Sequence, residues 1–128
     1  MNFWLITSGG IGFITAGIHL IAGHFDPIKP FIQSNLAPVP KATLHACWHM
    51  VTVILFFSAG VLVYLGISPG QNGNNPIPFF IGVQFIAYAI VFLVFNLTGG
   101  WKNKLLSLPQ WTLLLPIGIF AIIGGLKA

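Results

Sequence analysis

All four histidines of this chain and its only acidic residue fall in one stretch: His19, His24, Asp26, His45 and His49. Neutral imidazole nitrogens suit Zn, Cu, Fe or Ni, and a carboxylate serves as a further ligand or orients one. The chemistry these residue types point to is transition-metal binding. His45 and His49 are four apart, so on a helix they stack on one face and can chelate one ion. Thr52 continues that polar line one turn further along. His19 and His24 are five apart, which sets them about 140° from each other on a continuous helix. Both reach one ion only if the helix ends between them, and Gly23 offers a place for that ending. The set expected to hold a metal ion (Cu, Fe or Zn) is therefore His19, His24, Asp26, His45 and His49. Haem is a variant of the same idea, since axial ligation takes one imidazole from each of two helices, here His19 with His45 or His49.

The elements that must position these residues follow from composition. Of the 128 residues, 56% are hydrophobic and 5% are charged, against roughly 25% charged in soluble domains. One acid and five lysines cannot cover a water-soluble surface, so the apolar surface must face lipid. A span needs about 20 mostly apolar residues. Four segments qualify, at about 3–23, 43–66, 76–97 and 105–126, giving an all-α integral membrane bundle that makes one domain of residues 1–128. Between them lie His24 to Ala42 with its four prolines, Ile67 to Asn75 with Pro69-Gly70 and Asn72-Gly73 turn signals, and Thr98 to Lys104. The two-residue alternation of a membrane β-barrel is absent, and runs such as Val51 to Phe57 favour helices. No internal repeat is visible. The N-terminus has neither a basic region nor a cleavage site, so the first segment reads as a retained span.

An antiparallel pair formed by the first two spans brings the histidines together at one membrane face. His19 lies about 8 Å below His24, and His49 about 6 Å below His45, at 1.5 Å per residue. Asp26 can fold over them. Ser8, Gly12 and Ala16 form a stripe of small residues for close helix packing, and His19 falls in that stripe, pointing into the bundle. Trp48 reads as an interfacial anchor. Gln84 and Tyr88 offer hydrogen-bond partners on the third span. Pro116 is expected to kink the fourth, and Gly118, Gly124 and Gly125 to let it pack closely. Cys47, the only cysteine, is expected to be a buried small hydrophobe. Lys29, Lys41, Lys102 and Lys104 fall in the first and third loops, which the positive-inside rule places in the cytoplasm of an inner or plasma membrane, with both termini outside. Asn96-Leu97-Thr98 matches a glycosylation sequon but ends a helix on that same side, and receives no role.

Function classes narrow in the same way. Scattered lysines without arginine make no nucleic-acid patch. A single acid leaves no carboxylate pair for acid–base catalysis, and a chain without Glu cannot build a carboxylate-bridged di-iron site. Histidine-rich membrane hydroxylases and desaturases carry more histidines than this chain. Small multidrug exporters share its size and helix count but depend on a Glu in the first span, where this chain has none. The reading that remains is a small polytopic protein, a homo-oligomer or part of a larger membrane complex, whose histidines bind a metal or haem for redox or metal-assisted chemistry. Two alternatives stand beside it. One is an accessory subunit without a site of its own, and the other is a small transporter working through His19 and His49.

Overall fold

A computed structural model describes residues 1–68, 75–100 and 102–127, and every regular element among them is helical. Helix α1 (Phe3–Gly23) is joined to the short α2 (Lys29–Ile32) through a kink over His24–Ile28, where Asp26 leaves helical geometry. Helices α3 (Pro38–Ile67), α4 (Ile77–Thr98) and α5 (Trp111–Leu126) follow. The stretches Phe3–Ile32, Pro38–Ile67 and Ile77–Thr98 are long and apolar enough to cross a membrane, and α5 is a shorter apolar helix of 16 residues. The turn signals at 69–70 and 72–73 lie outside the described residues.

Two boundaries differ from the sequence expectation, each for a physical reason. Helix α3 starts at Pro38, inside the stretch expected to be loop. A proline in the first helical turn loses only an N–H that has no intrahelical partner there, and its ring presets φ. Pro38 and Pro40 therefore start the helix instead of forbidding it. Helix α4 uses the same device, with Pro76 and Pro78 at its start. It stops at Thr98, and Gly100 takes a φ of 68° in the left-handed region that terminates helices. Helix α5 begins at Trp111 and not near Leu105, because the segment before it is folded into turns. Asn96, fully buried near the end of α4, holds that segment: its Nδ2 donates to the Leu108 carbonyl at 2.7 Å, and its Oδ1 accepts from the Leu108 N–H at 2.9 Å. Pro116 lies inside α5.

Helix α1 packs against both α3 and α5, and α4 packs against α5. Glycine sets how close these pairs come. A Cβ on Gly9 would lie 2.6 Å from Val63 Cγ2 and 2.8 Å from the Ala59 carbonyl oxygen, and one on Gly12 would lie 3.0 Å from Ala59 Cβ. Across α4 and α5, Gly82 and Gly118 each face the other's backbone, at 2.7 and 2.8 Å from the opposing carbonyl oxygen to an added Cβ. Glycine in a helix interior costs roughly 1 kcal/mol against alanine, and in lipid the return is van der Waals contact between backbones. Gly124 and Gly125 are used likewise, against Leu5 and Pro78. The core joins all four long helices, with Leu5 and Ala16, Leu55 and Leu62, Phe85 and Ala89, and Ile117 and Ala121 all buried.

One end of the bundle is fastened by Asn2. Its backbone N–H donates to the Gly66 carbonyl at 2.7 Å, and its Nδ2 donates to the Gly124 carbonyl at 2.8 Å. Its Oδ1 caps α1 by accepting from Leu5 N–H. Nearly two turns deeper, the Ser8 hydroxyl donates to the Ile117 carbonyl at 2.7 Å. The small-residue stripe expected on α1 is thus buried, with Ser8 tied to α5 and Gly12 set against α3.

Candidate functional site

The histidines gather at the opposite end. His19 on α1 and His49 on α3 are equally far from the Asn2–Gly66 joint, about 26 Å each at 1.5 Å per residue, and His45 stands about 6 Å further out. The helices do bring His19, His45 and His49 to one end of the hairpin. They do not converge on one point.

His19 is committed to Trp48. Its ring stacks on the indole with centroids 3.8 Å apart and planes 15° apart, and its Nε2 lies 3.2 Å from the Trp48 carbonyl oxygen. A carbonyl only accepts, so Nε2 carries the proton and Nδ1 holds the lone pair. The same carbonyl receives the buried Thr52 hydroxyl at 3.3 Å. Trp48 lies in the α1–α3 seam, with its ring against Gly23, where an added Cβ would overlap it. Gly23 is thus the slot that admits the indole, and the indole holds the imidazole.

His45 and His49 form a second arrangement. Their Nε2 atoms are 3.2 Å apart and their ring centroids 4.8 Å apart. One ring donates an N–H and the other accepts it, so two imidazole nitrogens point at a common spot on the surface of α3. His49 is exposed and His45 half-buried. A shallow apolar groove lined by Ala46, His49, Met50, Val53 and Ile54 runs from it along the helix.

His24 and Asp26 form neither. The helical path breaks at Asp26 (φ −153°, ψ 112°), and both side chains are exposed, with His24 in edge contact with Phe25. Among the described residues, no group of three or more His, Cys, Asp or Glu side chains stands close enough to hold an ion. Cys47 is exposed, which corrects the expectation of burial: on α3 it stands about 100° round the helix from its neighbour Trp48, which takes the seam with α1. Gln84 and Tyr88 satisfy each other, Nε2 donating to the phenolic oxygen.

The residues that sequence reasoning undervalued are Trp48 and Asn96. For Trp48 the available signal was its i,i+4 spacing to Thr52, which places it on the same α3 stripe that meets α1. No protein-family model matches this chain, and neither a curated protein nor a solved structure matches it.

Proposed function

We propose that this is a small polytopic membrane protein that binds a transition-metal ion through His45 and His49. The observation that carries the reading is the 3.2 Å separation of the two Nε2 atoms. With metal–nitrogen bonds of about 2.0–2.1 Å, nitrogens so spaced subtend about 100–105° at a shared ion, near the tetrahedral angle that Zn favours. Both rings would ligate as neutral imidazoles, the ring that now donates through Nε2 moving its proton to Nδ1, and loading weakens in acid, where protons compete for the same nitrogens. Geometry favours a bare ion over haem: axial imidazoles must face each other across the macrocycle, whereas this pair sits on one helix and His19 has its Nε2 engaged. Lys29, Lys41, Lys102 and Lys104 all belong to the histidine end, which supports a cytoplasmic site. Redox or metal-assisted chemistry on a lipophilic substrate is the kind of activity such a site serves.

The test is metal analysis of detergent-purified protein lacking a histidine tag, after exposure to Zn(II) or Cu(II) and removal of free ion. Wild type is expected to retain metal, and His45→Ala combined with His49→Ala to lose it while its helical circular dichroism and elution volume stay unchanged. Retention by the double variant, or none by the wild type, sinks the reading and leaves the accessory-subunit role in its place.

A further inference from the structure

Resting on that metal reading, we infer that the His45–His49 chelate is half of a site, completed by the same two histidines of a second copy of this chain. The second copy would dock on the outer flank of the α1–α3 hairpin.

Two independent observations lead there. First, the pair offers two nitrogens at a near-tetrahedral opening, and no third His, Cys, Asp or Glu among the described residues is near enough to add to them. A structural tetrahedral site takes four such donors. Second, the hairpin carries glycines that no contact among the described residues explains. Gly9, Gly12, Gly23 and Gly66 all face a neighbour that an added Cβ would meet. Around Gly10 and Gly17 there is nothing within 4 Å, and Gly60 has only Phe13 Cζ at 4.0 Å. Helical spacing puts Gly10 and Gly17 on either side of Phe13, and puts His49, Phe56 and Gly60 along one stripe of α3. Phe13 and Phe56 touch, centroids 6.1 Å apart, so the two stripes form one continuous flank with the chelate at its end. Small residues mark the places where helices approach each other in lipid, and this flank bears no charged side chain to oppose an identical face.

A two-fold axis along the membrane normal keeps both copies at the same depth and matches the flank with itself. It sets both histidine pairs at one level, where four imidazoles can enclose the ion.

Full-length protein in nanodiscs or mild detergent, titrated with Co(II) and followed by native mass and visible absorption, tests this. Expected are one ion per two chains, a dimer whose population rises with metal, and the intense visible bands of tetrahedral cobalt. One ion per chain on a monomer, with oxygen ligands completing the shell in X-ray absorption, overturns the second-copy inference and leaves the two-histidine reading standing. Absence of any bound ion overturns both. Gly10→Leu with Gly17→Leu places side chains into open space, so folding is kept. It is expected to abolish the dimer and weaken metal binding by about tenfold or more, the scale seen when support for a metal site is lost. Unchanged affinity in that variant overturns the shared site.

Discussion

The two ends of this bundle are built on different terms. At the Asn2 end, three helices meet on one side chain and its backbone, the nearby glycines are filled by neighbours, and Ser8 reaches across to α5. At the histidine end α3 meets α1 and the short α2, α5 has given way to turns, and two imidazoles are hydrogen-bonded to each other at the surface. No buried side-chain nitrogen or oxygen among the described residues lacks a partner. The contrast teaches that folding is secured largely without the His45–His49 pair. Polar groups near hydrocarbon that the fold does not need are where function is to be sought.

The comparison breaks if glycines at the two kinds of position behave alike. Gly118→Val, with a Cβ set 2.7 Å from Ile86 Cγ1 and 2.8 Å from the Gly82 carbonyl oxygen, is expected to cost about 3 kcal/mol by overpacking. Gly17→Val, in open space, should change stability by no more than about 0.5 kcal/mol. Reversible unfolding in mixed micelles measures both, and equal losses would erase the distinction. Next in size is Asn96→Ala, which leaves both main-chain groups of Leu108 without their partner and is expected to cost about 2 kcal/mol. His19→Phe keeps a ring for Trp48 to stack on but removes the donor to its carbonyl. A loss of about 1 kcal/mol is expected, with bound metal unchanged, and a drop in metal content would return His19 to the ligand set. Smallest is the double change of His45 and His49 to Ala, expected to shift stability by less than about 0.5 kcal/mol. A large loss there would mean the pair belongs to the fold after all.

The helices were legible because hydrocarbon demands long apolar runs, and four such runs stand out from Phe3 onwards. The close approaches at Gly12, Gly118, Gly124 and Gly125 were legible for the same reason: in a lipid-facing helix, small residues mark contacts. The starts of α3 and α5 were not. Proline has one meaning in a helix interior and another in its first turn, and only the fold says which applies to Pro38. Leu105, Leu106 and Leu108 are as apolar as any span residue, yet their backbone is not helical: the Asn96 amide takes both main-chain groups of Leu108, and the Trp111 indole donates to the Leu105 carbonyl. The i,i+4 pairing of His45 and His49 could be read directly, since one helix fixes it. The attachment of His19 to Trp48 depends on the register between two helices, which sequence alone leaves open.

Asn96 also bears on how the chain enters a membrane. At 1.5 Å per residue, α5 covers about 24 Å, short of the roughly 30 Å of hydrocarbon. A crossing by this segment would draw on non-helical backbone, whose amides a bilayer core does not solvate. Bonding to both main-chain groups of Leu108, the Asn96 amide supplies there what water supplies elsewhere. The start of α5 is therefore not self-sufficient: the turn before it is closed by a side chain that belongs to the preceding helix.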